Sequence, residues 1–210
     1  MVGQGVLREC LIDPDVEKVL SIVRSATGQQ HPKLQEIVHQ DIAALSPIED
    51  RLRGYDACFF CLGVSSVGMA EPDYRRITYD LTLAAAQTLV QLNPNVMTFI
   101  YVSGAGTDST ERGRTMWARV KGQTENALLR LPFKAAYMFR PAFIQPLHGV
   151  RSKTGIYQTI YTVLGPLSSL FVKFSPKYAT TTEVLGRAMI KAARQGAPKP
   201  VLESQDINLL

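Results

Sequence analysis

The runs Ala57-Cys-Phe-Phe-Cys-Leu62 and Thr98-Phe-Ile-Tyr-Val102 are apolar at nearly every position, which excludes strands with one face in water. Such runs fit strands covered on both sides, as in parallel sheets. Between them, Asp73–Leu92 places Ile77, Leu81, Ala84, Ala85 and Leu89 at helical spacing, and Asn93-Pro94-Asn95 ends the pattern. Val19–Val23, Glu36–Ile42, Ala135–Phe139 and Pro200–Leu202 read as further strands. Met116–Leu129 and Thr182–Ala193 read as further helices, the second with Thr180 to Thr182 as N-cap candidates and Gly196 as its stop. Strands alternating with helices predict the α/β class: a doubly wound, Rossmann-like parallel sheet with helices on both faces. With 210 residues and no repeat, low-complexity tract or linker, the chain reads as one domain, 1–210.

Charge excludes some functions. The net charge is +5, from 23 basic and 18 acidic residues, and the basic residues are scattered with no run of five. That pattern does not predict nucleic-acid binding. The odd set Cys10, Cys58 and Cys61 predicts a reducing compartment, taken as the cytoplasm. Cys58 and Cys61 have redox-pair spacing but lie within an apolar strand run, where residues three apart point to opposite faces, so buried structural thiols are expected. The histidines at 31, 39 and 148 show no ligand spacing, and no metal site is predicted. No eighteen-residue apolar run is present. The nearest, Ile156–Phe174, is interrupted by Gly165-Pro166 and flanked by Arg151, Lys153, Lys173 and Lys177. Segment 146–176 is expected to be a lid on the substrate side; within it, 156–174 as a homodimer contact or a peripheral membrane contact both stay open.

The most chemically informative stretch follows Thr98–Val102. Ser103-Gly104-Ala-Gly106 ends that strand, and the helix opening Trp117-Ala-Arg-Val-Lys121-Gly122 carries Glu125 one turn further on. A hydroxyl at a strand end, then a helix with an aromatic residue four positions before a Lys, resembles the short-chain dehydrogenase/reductase family. The chain is most similar to its atypical, NmrA-like branch, which includes proteins similar to the Tat-interacting protein group. The resemblance runs from Gly3 to about Leu202. It implies a nicotinamide dinucleotide cofactor, with Lys121 holding the nicotinamide ribose. In the family the aromatic residue is the Tyr that exchanges a proton; here it is Trp117, whose indole only donates a hydrogen bond. Ser103 is the candidate for the third catalytic member or for contact with the nicotinamide, although the family register falls at Gly104 and Ala105. Thr107 and Ser109 are alternatives for the hydroxyl. Tyr74, Tyr79 and Tyr137 are open as substitute acids.

The resemblance also implies the cofactor contacts. Met1-Val-Gly3-Gln4-Gly5 looks like the end of a Gly-rich phosphate turn, with Gly3 as its last glycine and Gln4 beside it. The expectation is therefore that one strand and the start of the turn precede Met1. Arg24, after Val19–Val23, suits the extra phosphate of NADP, which is preferred here over NAD. Asp41 and Ile42 would meet adenine. Leu62, Gly63 and Val64 would border the adenosine and pyrophosphate. Val102 and Ser103 would lie on the nicotinamide side, as would Pro141, Ala142 and Ile144 of the Arg140-Pro-Ala-Phe-Ile144 segment. Two functions follow. One is an oxidoreductase or epimerase-like enzyme acting on a small carbonyl or sugar-like substrate. The other is a binding module that senses the cofactor and regulates a protein partner.

Overall fold

The computed structural model describes residues 1–150 and 177–210, so of the expected lid 146–176 only 146–150 are described, and the expected contact region 156–174 lies outside. The chain divides into two compact units: Met1–Gln40, Pro141–Arg194 and Glu203–Leu210 form the first; Asp41–Arg140 and Gln195–Leu202 form the second.

In the first unit, α1 (Val2–Ile12) leads to strands β1 (Val19–Val23) and β2 (Leu34–Val38). Later come β6 (Phe143–Gln145), β7 (Ala179–Thr181), α5 (Thr182–Gln195) and α6 (Ser204–Leu209). β1 and β2 pair in parallel with Val19 opposite Leu34, and β6 and β7 pair in parallel with Phe143 opposite Ala179. Glycines let α1 and α5 meet closely. A Cβ on Gly5 would lie 2.6 Å from Thr182 Cβ, and one on Gly186 would lie 2.7 Å from Glu9 Cγ. Glu9 is buried at this crossing and is neutralised by Arg8 and by Arg187 Nε at 3.2 Å. Beyond it, Arg194 pairs with Asp13 at 2.9 Å and Asp15 at 2.6 Å. The Thr181 hydroxyl caps α5 by accepting from Val184 N at 3.0 Å, as its place before the helix predicts.

In the second unit, a 3₁₀ turn (Ser46–Leu52) precedes β3 (Ala57–Phe60). Then follow α2 (Glu71–Arg75), a π turn (Arg76–Asp80), α3 (Leu81–Leu92), β4 (Thr98–Val102), α4 (Met116–Leu128), β5 (Ala135–Arg140) and β8 (Val201–Glu203). The strand order is β3-β4-β5-β8. β4 runs parallel to both neighbours, with Thr98 opposite Ala57 and Ala135, so the carboxyl ends of three strands align. Phe99, Ile100, Tyr101, Met138 and Phe139 are buried, as expected for strands covered on both faces. Phe99 stacks on Phe60 and Phe133 at 5.8 and 5.0 Å between centroids. At the end of α3, Asn93 donates to Leu52 O at 2.9 Å and accepts from Gly54 N at 2.8 Å, which fixes the 3₁₀ turn to the helix.

Three sequence expectations need correction. The strand expected over Glu36–Ile42 is β2, Leu34–Val38. Asp41 instead opens a turn, its carboxylate accepting from Ala43 N at 3.0 Å, a local bond that competes with a ladder. The helix expected as Asp73–Leu92 starts two residues earlier and contains a π turn, which apolar periodicity does not reveal. The last strand sits one residue on, at Val201–Glu203, because the pyrrolidine of Pro200 gives no donor while its carbonyl accepts from Met138 N at 2.8 Å. The pairs β6–β7 and the helix α6 were absent from the sequence reading; both strands have three residues, too few for a period.

Candidate functional site

The parallel register of the second unit brings Leu62, Ser103 and Arg140 to one end of the sheet, just beyond or at the ends of β3, β4 and β5. In open α/β sheets this carboxyl edge is where ligands bind. Lys121, on α4, reaches this edge: its ammonium donates to the backbone oxygen of Ser103. Desolvation lowers its pKa from the ordinary 10.5 to about 8, and the Glu125 carboxylate one helical turn away partly offsets this.

Ser103 is buried, and its hydroxyl is turned inward. It donates to Glu125 Oε1 at 2.5 Å, with Phe139 O a second acceptor at 3.2 Å. Arg140 completes the cluster, with Nε 3.0 Å from Glu125 Oε1, Nη2 bonded to Glu125 Oε2, and Nη2 2.5 Å from Ser109 Oγ. Arg140 and Glu125 side chains are 10% and 1% exposed, so this is a buried ion pair with multiple hydrogen bonds. The sequence reading did not single out Glu125 as a site residue. Its place four residues after Lys121, opposite a strand-terminal Arg, was the signal available.

Trp117 covers the loop after β4. Gly106 there has φ +83° and would place a Cβ 3.4 Å from the indole ring, so a side chain at 106 is opposed by both backbone and contact. Gly122 is tighter still: a Cβ would lie 1.8 Å from Asp108 O. This close approach lets Asp108 N donate to Ala118 O at 3.0 Å, while the Asp108 carboxylate accepts from Thr110 N at 2.9 Å and Gly113 N at 2.6 Å. These bonds hold the Asp108 carboxyl below the usual carboxylate range.

Of the other hydroxyls considered from sequence, those of Thr107, Tyr137 and Tyr74 are bonded within the fold. Thr107 Oγ1 donates to Gly104 O at 2.7 Å. Tyr137 Oη accepts from Ala197 N at 3.1 Å, beside Gly196 at the end of α5. Tyr79 lies under the Arg75 guanidinium at 4.0 Å. Tyr74 is buried, which pushes its hydroxyl pKa up despite a bond with Thr78. Tyr101 is buried too and shifted in the same direction.

The remaining expected cofactor residues have these places. Gly63 and Val64 are exposed in the loop after β3, where a Cβ on Gly63 would meet nothing within 4 Å. Leu62 and Val102 are half-buried. Asp41 is exposed and Ile42 half-buried. In the first unit, Gly3 and Gln4 are exposed within the first turn of α1 rather than in a loop before it. Arg24 is exposed directly after β1, its carbonyl accepting from Gln40 Nε2 at 2.8 Å. Pro141 is buried, Ala142 N donates to Ser204 Oγ at 2.8 Å, and Ile144 lies in β6 opposite Thr180. Among the described residues there is no group of three metal-ligating side chains, and no helix is long and apolar enough to cross a membrane. None of the three cysteines is in a disulfide, and burial pushes the Cys58 thiol up to about 12.

No family model matches the chain. The fold is that of solved nucleotide-binding enzymes. The Bordetella bronchiseptica enzyme WbmH in complex with NAD+ superposes with TM-score 0.62 and 18% identity, over 95% of this chain and 70% of that one. This likeness establishes the Rossmann-like parallel α/β architecture with helices on both sides. In sequence, the chain is 25% identical over 202 residues to protein fmp52-2, mitochondrial, of Aspergillus terreus, covering 92% of this chain and 82% of that protein. The expected cytoplasmic location is thereby overturned, since relatives of this kind are named as mitochondrial. The physical reason is that an odd cysteine count speaks only for reducing surroundings and does not name the compartment. The chain is also 32% identical over 129 residues to botcinic acid biosynthesis cluster B protein 16 of Botryotinia fuckeliana, covering 54% of this chain and 78% of that protein. By that similarity, the chain belongs to the family of the Botryotinia protein.

Proposed function

We propose that this protein binds a nicotinamide dinucleotide, with NADP preferred, in a mitochondrial setting, and that Lys121 is its anchor at the carboxyl edge of β4. The observation that carries this reading is the hydrogen bond from the Lys121 ammonium to Ser103 O. It fixes a desolvated cation at the end of a central parallel strand with further N–H donors for ribose hydroxyls. The open surroundings of Gly63 support close approach of a pyrophosphate. The exposed guanidinium of Arg24 beside the end of β1 supports the choice of NADP. The residues present thus suit the group, which when bound supplies a hydride. Gly3, Gln4, Asp41, Ile42, Leu62, Val64, Val102, Pro141, Ala142 and Ile144 remain part of the proposed contact set.

Two roles remain within this reading. One is turnover of a small carbonyl or sugar-like substrate as an oxidoreductase. The other is cofactor sensing on behalf of a protein partner. Trp117 at the family's Tyr position, and the inward bonds of Thr107 and Tyr137, favour sensing, because general acid catalysis typically contributes about a hundredfold to ten-thousandfold in rate.

Trp117 is the chain's single tryptophan, so indole emission reports directly on the site. Titration with NADPH is expected to quench it, more weakly with NADH, and Lys121→Ala is expected to abolish the response. An unchanged signal up to millimolar NADPH, matched by no heat in calorimetry, would overturn the reading. Given binding, carbonyl reduction that appears only in Trp117→Tyr favours sensing in the wild type; equal rates in both favour catalysis.

A further inference from the structure

A buried carboxylate that contacts the strand end holding Lys121 invites a specific role. Ser103 joins two partners on one helix. Its backbone oxygen accepts from Lys121, and its hydroxyl donates to Glu125 at 2.5 Å. Glu125 is fixed in turn by the two-pronged Arg140 contact, and Arg140 is braced on Ser109 at 2.5 Å. The chain of contacts is therefore Ser109, Arg140, Glu125, Ser103, Lys121, and it crosses from β5 to α4 to β4 within one unit.

We propose that Glu125 is the positioning residue of this site: through Ser103 it seats the Lys121 ammonium on the end of β4, and it sets a carboxylate one helical turn from that ammonium. The proposal deepens the reading of Lys121 as cofactor anchor. It also gives Ser103 a supporting role in place of the catalytic one expected from sequence, because its hydroxyl is committed to Glu125.

The neighbouring charges agree with this. On α4 the nearest titratable group is Glu125, the ionic cause that opposes desolvation of Lys121. On β5 the charge is Arg140, held by Glu125. On β4 and α2, Tyr101 and Tyr74 are buried with raised pKa values and stay neutral in the working range. Arg119 of α4 is paired with Glu71 of α2 at 2.6 Å. Glu125 is thus the carboxylate aimed at this cluster. Lys121, at about 8, sits where a lost negative charge would discharge it near neutrality.

The test uses the full chain without cofactor. Acylation of Lys121 by acetic anhydride is followed against pH by peptide mass spectrometry, with circular dichroism confirming the fold. In Glu125→Gln the titration midpoint is expected to fall by about one pH unit or more, while Glu125→Asp, which retains the charge, stays near wild type. An unmoved midpoint in folded Glu125→Gln overturns the proposal. Should Glu125→Gln not fold, Ser103→Ala decides. It keeps both charges and the carbonyl but cuts the link, so the midpoint is expected to hold while the neutral amine reacts several-fold faster. Unchanged reactivity overturns the positioning role. NADPH titration of the same proteins reports separately: absent binding in the wild type would remove the cofactor reading and leave the Lys121 result standing.

Discussion

Ser103 and Glu125 are joined by a buried hydrogen bond of 2.5 Å that fastens the end of β4 to the middle of α4. A hydrogen bond to a charged acceptor contributes about 1.5–3 kcal/mol. Ser103→Ala is therefore expected to lose about that much in urea unfolding, more than its small change in volume suggests. A loss below about 0.5 kcal/mol, the level of ordinary surface substitutions, would show that the bond adds little.

The Glu125–Arg140 pair is expected to behave asymmetrically. Arg140→Met leaves a carboxylate buried without its counter-charge, at a cost of about 3–5 kcal/mol. Removing both charges together, as Glu125→Leu with Arg140→Met, should cost less than that single change, because nothing ionic is then stranded. A double-mutant cycle by chemical denaturation measures the coupling, and additive losses would contradict it.

Lys121 makes stability depend on alkaline pH. Its pKa is about 8 in the folded protein against an ordinary 10.5, so between these values the unfolded chain binds more protons. The folded state therefore gains relative stability as pH rises through this window, and below about pH 8 the full desolvation cost of the charge is present. The difference in Tm between Lys121→Met and wild type should shrink from pH 7.5 to pH 10. A constant difference across that range would mean that Lys121 titrates normally.

Gly122 is predicted to tolerate no side chain. The methyl of Gly122→Ala would overlap Asp108 O, at 1.8 Å, and the backbone of that loop is pinned by Ala118 O and by its own carboxylate bonds. Helix propensity alone would favour Ala by roughly 1 kcal/mol. The clash reverses the sign, with an expected net loss of about 2 kcal/mol or more. Equal or higher Tm for the variant would refute this packing.

Much of the scaffold was legible in the residues. β1 and β4 match their apolar runs residue for residue, and β3, β5, α4 and α5 match within two residues at each end, because burial on both faces and helical spacing leave direct marks on sequence. Asp41 was not legible as a turn residue, since its alternating neighbours mimic a strand and only the bond to Ala43 N reveals the competing structure. Within the site, Lys121 could be found by its spacing from Trp117, but the inward turn of the Ser103 hydroxyl could not. Its orientation depends on Glu125, 22 positions from Ser103, and on Arg140, 15 positions beyond Glu125, and only folding brings such groups together. Gly5 illustrates the same limit. It reads as part of a phosphate turn, yet it lies inside α1 against Thr182, a partner far along the chain.

The π turn at Arg76–Asp80 carries one residue more than an α-helix would need for that stretch. Deleting a single amino acid there would let the wide turn close to α-helical winding and leave the segments on either side in nearly the same phase. Tyr74 would then keep its enclosed position. The spare residue is thus taken up in the wide turn, and one continuous rod keeps a single enclosed side through Tyr74, Thr78, Thr82 and Leu89.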